Sequence, residues 1–330
     1  MRVSCIYGGL VEWRKRCNFV EIFEIMKSKS SIIGHLACFV AYAIFGVNIV
    51  TTKDLTASHL VSPLALFTVR SVCAGALFWL ISFFMPGERV AKEDYLKIFA
   101  ASILGFFFTQ ITFLMAISEI TPMDCSIVSA LSPIYTMFIA AVAIKEPITW
   151  RKAGGVALSF AGAVYLIINS VSSGGATSTT LRGVVLIVLN SLCFSLYLGI
   201  FRPVIQRYSA VTFMKWIFLF STLLSLPVSA MEFTRIDYAA FTPTLVGELA
   251  YLVVGATFVS YLLIPIGQQR IRPTLVSMYS YVQPIVAIAI SIIIGMDTLS
   301  WQKVIAAATV FGGVVIVSYS RSAHNPAKNG

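Results

Sequence analysis

Charged residues are scarce in this chain of 330 residues: Asp, Glu, Lys and Arg make up 12% of it, whereas 58% of its residues are apolar. A soluble domain of this length would carry roughly twice that charged fraction. Apolar blocks of about 20 residues recur along almost the whole chain, and each is long enough to cross a bilayer core about 30 Å thick. The sequence therefore predicts an all-α membrane protein that crosses the bilayer several times, because helices satisfy their own backbone hydrogen bonds in lipid.

Residues typical of metal, redox or hydrolytic sites are also missing. The six cysteines form no Cys-x-x-Cys pair, and the three histidines share no motif. The chain contains no Walker-type phosphate loop, no His-Glu-x-x-His and no Gly-x-Ser-x-Gly. None of the apolar blocks carries Asp or Glu near its middle, so the usual carboxylate proton relay is absent as well. We therefore expect no catalytic residue, no metal, no cofactor and no ATP hydrolysis by this chain.

Ten spans are predicted from the apolar blocks and from the breakers that separate them. They lie at about 31–52, 62–84, 95–117, 122–144, 151–170, 182–202, 211–231, 245–267, 273–294 and 301–320. The only flexible linker, Ser172 to Gly175, divides them into five plus five. Because each half then holds an odd number of spans, the two halves must insert with opposite orientation.

The same division sets the expected domain boundaries. A first repeat occupies 31–170, an outer linker 171–181 and a second repeat 182–321, with tails at 1–30 and 322–330. The first tail is polar and basic and carries no cleavable signal-peptide pattern. Met26-Lys27-Ser28-Lys29 would also be a natural start, so residues 1–25 are either a tail or lie before the true start.

The second half repeats the first at a fixed offset of 151 residues. Matched pairs at this offset are Pro122 and Pro273, Pro133 and Pro284, Trp150 and Trp301, Lys152 and Lys303, and Gly162 and Gly313. Duplicated hydrophobic halves are a known construction of membrane transporters, which bind substrate where the halves meet.

The basic residues indicate which side of the membrane each loop faces. With a cytoplasmic N-terminus, nineteen Lys and Arg residues fall in cytoplasmic segments and four in outer segments. This asymmetry predicts that both termini are cytoplasmic, in an inner or plasma membrane. The net charge of +10 is thereby explained by topology, so we expect membrane lipid as a partner and no nucleic acid.

Two matched polar stripes run along spans 4 and 9. The six positions are Ser126, Ser129 and Ser132 in span 4 and Ser277, Ser280 and Gln283 in span 9. Residues three apart lie on one helical face. Among Leu and Ile neighbours, such a stripe favours a central cavity that holds substrate. The alternative is that these groups form hydrogen bonds that hold the bundle together.

Two prolines lie near the middle of the same spans. Pro133 and Pro284 each remove one backbone hydrogen bond and kink the helix, which frees the carbonyls of Ser129 and Ser280. We predict that these kinks serve gating, and the alternative is a merely structural kink.

Further candidates for the cavity wall lie on other spans. Gln110 in span 3 matches Tyr261 in span 8, and Asn48 lies in span 1. Arg70 is the only charge well inside a span. It is either an electrostatic handle for a carboxylate or phosphate, a partner for helix-end carbonyls, or a side chain that extends to the outer interface.

Small residues recur every four positions in span 5, at Ala153, Ala157 and Ala161, and two turns apart at Gly154 and Gly162, with matching residues in span 10. Such stripes let helices approach closely. They predict packing either within the bundle or between protomers, that is, a homodimer through spans 5 and 10.

These features resemble the EamA-type members of the drug/metabolite transporter superfamily. The recurrent pattern reads Pro133…Glu146…Gly155…Gly162 in the first half and Pro284…Asp297…Ala306…Gly313 in the second. Ala41-x-x-x-Phe45-Gly46-x-Asn48 and Pro63…Arg70 are also similar to the family. The resemblance implies ten transmembrane helices as two inverted five-helix repeats, a cavity lined partly by helices 3, 4, 8 and 9, and alternating access.

The function expected from all this is a secondary-active permease that exports or exchanges a small metabolite, such as an amino acid. Drug efflux, or transport of a phosphorylated or lipid-linked sugar, is the alternative within transport. An integral-membrane enzyme would need a cluster of His, Asp or Glu near an interface, and the sequence has none.

Overall fold

A computed structural model of the chain describes residues 4–58, 60–144, 150–172, 179–233, 240–271 and 273–319, with side chains from residue 31 onward apart from a few. All secondary structure in these ranges is helical. Glu146, the middle of the predicted linker and the C-terminal tail, which the sequence analysis singled out, lie outside the described residues.

Ten helices coincide with the ten predicted spans. They are α1 (Ser4–Ala57), α2 (Pro63–Phe83), α3 (Lys92–Ile117), α4 (Pro122–Ser129 with Ser132–Ile144), α5 (Trp150–Ser172), α6 (Leu181–Ile200), α7 (Ala210–Phe233), α8 (Pro243–Arg270), α9 (Pro273–Met278, Tyr279–Tyr281 and Val282–Ile293) and α10 (Trp301–Tyr319). A short helix, Arg202–Arg207, joins α6 to α7. The first helix begins at Ser4, and its apolar stretch, Ser31–Ala57, begins where the first span was predicted to begin.

Seven of these helices have a described stretch that is long and apolar enough to cross a membrane, namely α1, α2, α3, α6, α7, α8 and α9. The chain is therefore a multi-pass helical membrane protein. That α4, α5 and α10 also cross the bilayer stays a prediction.

Three helices begin at a Ser-Pro or Thr-Pro pair. Ser62, Thr121 and Thr242 each accept a hydrogen bond from a backbone N–H in the first turn that follows, at 3.2–3.3 Å. Proline suits the first helical position because its missing N–H has no partner there in any helix. These caps explain why the predicted spans begin within a few residues of the starts of α2, α4 and α8.

A wider π-helical stretch interrupts α3 at Ile103–Phe107 and α8 at Tyr251–Val259. The first stretch, moved by 151 residues, falls inside the second. Short π-helical segments are rare and are frequent at functional sites. Here each one lies just before a residue that the sequence analysis selected, Gln110 in α3 and Tyr261 in α8.

The two halves of the chain contact each other at equivalent positions. In the interior α1 packs against α8 and α9, and α6 packs correspondingly against α3 and α4. Hydrogen bonds also join three pairs of residues that are 151 apart: Ser71 with Thr222 at 2.9 Å, Gln110 with Tyr261 at 2.9 Å, and Ser159 with the carbonyl of Val310 at 3.0 Å.

The small residues of α5 divide between two surfaces. Gly162 packs so closely on α10 that a Cβ there would lie 2.9 Å from the backbone nitrogen of Val310. Ala153, Ala157 and Ala161 are exposed instead. Packing within the bundle is therefore one use of these residues, and a homodimer through the exposed face stays a prediction.

Candidate functional site

A cavity of about 80 Å³ lies between helices of the two halves and is lined by α1, α3 and α4 of the first half and by α6, α8 and α9 of the second. Seven of the eight predicted cavity residues line it: Asn48, Gln110, Ser129, Ser132, Tyr261, Ser280 and Gln283. Their side chains thus meet at one place, although they come from five helices. The role of these residues in binding a substrate stays a prediction.

The helices that contain Pro133 and Pro284 are both interrupted at the cavity wall. In α4 the helix breaks at Ala130 and Leu131, just before Pro133, and in α9 the segment just before Pro284 is a 3-10 turn. The hydroxyl of Ser132 donates to the carbonyl of Ser129 at 2.7 Å. The carbonyl that we expected Pro133 to free is therefore satisfied by a neighbouring serine, which is one way in which a broken helix is tolerated in a membrane.

Several polar atoms at the cavity have no protein partner. The amide nitrogen of Gln110 donates to the hydroxyl of Tyr261 at 2.9 Å and so joins the two halves. Gln110 Oε1, Ser191 Oγ and Ser280 Oγ are buried and have no hydrogen-bond partner among the described residues. A buried polar atom left without a partner costs about 1–3 kcal/mol. These three atoms are therefore available to a solute with hydrogen-bonding groups.

The rest of the wall was identified only in part from the sequence. Tyr42, Thr109, Asn190 and Ser191 also line the cavity, and the signal that marks them in the sequence is a polar side chain inside an apolar span. Three aromatic residues, Phe45, Phe113 and Phe194, were missed. An apolar residue in an apolar span carries no sign of which face it occupies, so no sequence signal could have found them.

Arg70 is not among the residues that line the cavity. Its side chain is fully buried, and its Nε donates to the hydroxyl of Thr257 in α8 at 2.8 Å. Nη1 and Nη2 have no hydrogen-bond partner among the described residues. The burial excludes the alternative in which Arg70 extends to the outer interface, and its part in the site stays a prediction.

Ion pairs tie the halves together at the Pro122 end of α4. Asp297 accepts from the backbone N–H of Met123 at 2.9 Å and pairs with Lys303 at 2.5 Å. Lys303 also lies 3.8 Å from Asp124, which accepts from Thr179. All four polar side chains are largely buried. The network holds the start of α4 against the loop between α9 and α10.

A second group of polar contacts joins the halves at the opposite ends of the helices. Asp94, at the start of α3, pairs with Arg207 at 2.5 Å and accepts from the hydroxyl of Tyr208 at 2.7 Å. Glu88 accepts from the backbone N–H of Ser209 at 3.0 Å. Burial raises the pKa of Glu88, but hydrogen bonds from the start of α7 outweigh it and hold this pKa below its ordinary value.

Comparison with known proteins decides the family. The model of the EamA-like transporter family matches residues 32–168 and also residues 181–319. The chain belongs to the EamA-like transporter family. The two matched segments coincide closely with the two predicted repeats.

Relatives of this EamA-like chain are named as transporters. An uncharacterized transporter of Archaeoglobus fulgidus is 23% identical over 270 residues, which cover 79% of this chain and 90% of the relative. Another, YetK of Bacillus subtilis, is 23% identical over 294 residues and 87% of each chain. An S-adenosylmethionine/S-adenosylhomocysteine transporter of Chlamydia muridarum is 26% identical over 138 residues, 41% of this chain and 43% of the relative.

A solved crystal structure has the same fold. It superimposes with a TM-score of 0.61 at 17% sequence identity and covers 88% of this chain and 96% of that one. Together the family, the relatives and the apolar helices establish a membrane transporter with a small-molecule substrate.

Proposed function

We propose that this EamA-like chain is a secondary-active permease that exports or exchanges a small metabolite by alternating access. The observation that carries the proposal is the cavity between the two halves, where Gln110, Ser191 and Ser280 present polar atoms that have no hydrogen-bond partner in the described part of the chain. A substrate held there contacts both halves at once. Closing the halves on one side of it and opening them on the other would therefore move it across the membrane.

The two halves are proposed to be inverted five-helix repeats that together form ten transmembrane helices. The three hydrogen bonds between residues 151 apart support this, because equivalent residues meet only near the axis that relates two repeats. The matched helix partners also support it, since α1 contacts α8 and α9 as α6 contacts α3 and α4.

Both termini are proposed to be cytoplasmic, in an inner or plasma membrane. The support is the distribution of nineteen basic residues in inner segments against four in outer ones. Cysteines introduced at Ser173 and at Ser322 test it with a membrane-impermeant thiol reagent. We expect labelling from outside at position 173 only, and labelling of position 322 from outside would overturn the orientation.

The proposed cargo is a small polar or amphipathic metabolite. The wall of the cavity combines hydroxyls, amides and aromatic rings, which suit a solute with both polar and apolar parts. The chlamydial relatives, whose name states that they transport S-adenosylmethionine and S-adenosylhomocysteine, also favour a metabolite.

A metabolite comparison tests the function directly. Culture medium from a strain that overproduces the protein is compared with medium from a deletion strain and from a strain that produces the Gln110→Leu variant to the same level. We expect at least one small metabolite to accumulate outside only with the wild-type protein. Identical media from all three strains, with the protein inserted in the membrane, would contradict export.

A further inference from the structure

A guanidinium group without a counter-charge lies buried in the interior of the helical bundle. Arg70 has 0% of its surface exposed, and its hydrogen bond to Thr257 uses only Nε. Nη1 and Nη2 have no hydrogen-bond acceptor among the described residues. Arg70 also takes part in none of the ion pairs between those residues. A buried charge is normally paired, because removing a cation from water is expensive. The surroundings of Arg70 therefore suit an anion.

The groups around Arg70 are neutral. Tyr251 and Tyr261 are the titratable side chains within its electrostatic range. Tyr251 already donates its hydroxyl proton to the carbonyl of Ile44 at 2.9 Å. The ring of Tyr261 packs edge-on against Phe106, with ring centres 5.0 Å apart. A neutral, aromatic environment strengthens the attraction between the guanidinium and any anion that reaches it.

Arg70 is also close to the cavity. Its partner Thr257 lies four residues before Tyr261 on α8, and side chains at this spacing are neighbours on a helix, about 5–6 Å apart. Tyr261 lines the cavity and carries the hydrogen bond from Gln110. Arg70 therefore contacts a residue that lies about one helical turn from Tyr261 in the cavity wall.

We propose that Arg70, assisted by Thr257, forms a subsite for a carboxylate group of the transported solute. The two terminal nitrogens of a guanidinium match the two oxygens of a carboxylate and bind them side by side. The uncharged part of the solute would then occupy the neutral cavity, against the amides and aromatic rings. This assignment rests on the proposed transport function, and it names the substrate class: a small carboxylic acid or amino acid, preferred over its amide or ester.

The charge of a reporter reagent tests the subsite without knowledge of the natural solute. A single cysteine replaces Ser129 at the cavity in a background without other cysteines. It is reacted with methanethiosulfonate reagents of similar size that carry a negative, a positive or no charge. A unit charge about 10 Å away changes the local concentration of a singly charged reagent roughly tenfold in a medium of intermediate polarity.

For each reagent, the rate of reaction with the cysteine at position 129 is measured. We expect Arg70→Gln to lower the ratio of the rate of the anionic reagent to that of the cationic reagent at least tenfold and to leave the rate of the neutral reagent unchanged. Arg70→Lys should keep this ratio. Arg182→Gln, which removes the same charge from an exposed side chain, should leave it unchanged. If Arg70→Gln has the same ratio as Arg182→Gln while the neutral reagent reacts normally, Arg70 does not serve the cavity and the proposal is wrong.

Simple anions distinguish a carboxylate subsite from a site for inorganic ions. Sodium acetate should slow the anionic reagent in the wild-type background and not in Arg70→Gln, whereas chloride and phosphate should have less effect. Equal or stronger slowing by chloride or phosphate would overturn the assignment to a carboxylate.

The two proposals can fail separately. If Arg70→Gln changes the rate ratio but no metabolite is exported into the medium, the subsite stands and the permease is refuted. If a metabolite is exported but Arg70→Gln leaves the rate ratio unchanged, the permease stands and the subsite is refuted.

Discussion

The ion pair between Asp297 and Lys303 provides a quantitative test of how the two halves close at the Pro122 end of α4, the end proposed to face outward. Asparagine at position 297 keeps the shape of the side chain and an oxygen for the N–H of Met123, and it removes only the negative charge. Lys303 then keeps one carboxylate, Asp124, at 3.8 Å. If this network closes the cavity toward the outside, Asp297→Asn should favour the outward-open state.

The expected size of the effect follows from burial. Removing one partner of a fully buried pair costs about 3–5 kcal/mol. The Asp297 side chain is 3% exposed and the Lys303 side chain is 16% exposed. Partial exposure of Lys303 and its remaining carboxylate reduce the expected cost to about 2 kcal/mol, which corresponds to a factor of about 30 in the closed-to-open equilibrium.

The assay measures how fast an impermeant thiol reagent added outside labels a cysteine at Ser129, which is 9% exposed. We expect labelling about 30-fold faster in Asp297→Asn than with wild-type residues. Glu119→Gln is the matched control, because Glu119 and Arg182 also join the halves, at 2.8 Å, but their side chains are 25% and 65% exposed. An exposed pair contributes up to about 1 kcal/mol, so this control should change the rate less than about fivefold. Equal rates in the two variants would refute the assignment of the buried pair as an outer closure.

Three further predictions concern the helices and one loop. Pro133→Ala and Pro284→Ala should each slow export while the protein stays folded and inserted, because a restored backbone hydrogen bond straightens the helix; wild-type export rates would make the kinks merely structural. Gly313→Leu should cost about 1–3 kcal/mol and lower the thermal unfolding midpoint, since a Cβ there collides with α5, whereas Gly312→Leu, with open space around it, should not. Glu88→Gln should destabilise the protein near neutral pH. This difference should shrink as the pH falls below the ordinary pKa of glutamate and vanish below the lowered pKa of folded Glu88, because the stabilisation is lost as the carboxylate takes up a proton.

Much of the fold was predictable because proline and glycine mark the helix ends in the sequence. Proline at positions 63, 122 and 243 begins helices at a Ser or Thr cap, and the predicted spans differ from the helices by only a few residues there. The start of α1 was not predictable in this way, since a polar segment without proline continues the helix back to Ser4. The π-helical stretches in α3 and α8 have no recognisable residue pattern at all.

The candidate site was predictable where polar residues repeat at matched positions. Ser129 with Ser280 and Gln110 with Tyr261 all reached the same cavity, because a polar side chain in an apolar span avoids lipid. Not every member of a stripe did so, since Ser126 instead donates to the carbonyl of its own helix at 2.7 Å.

The buried ion pairs were beyond sequence reasoning for a different reason. Asp124 and Asp297 are 173 positions apart, and both contact Lys303 only because the start of α4 lies beside the start of α10. A charge near a span end is ordinarily a solvated loop residue, so neither carboxylate attracted notice as part of a closure. Only the packing of the two halves brings them together.

The central claim is that the cavity between the halves holds the transported solute, and one comparison tests it most directly. Gln283→Leu removes a polar group from the cavity wall, whereas Ile285→Leu changes a side chain two residues away that is 65% exposed on the outside of the bundle. Export of the accumulating metabolite is measured for both variants at equal amounts in the membrane. The account predicts strongly reduced export for Gln283→Leu and normal export for Ile285→Leu. Normal export by Gln283→Leu would contradict it.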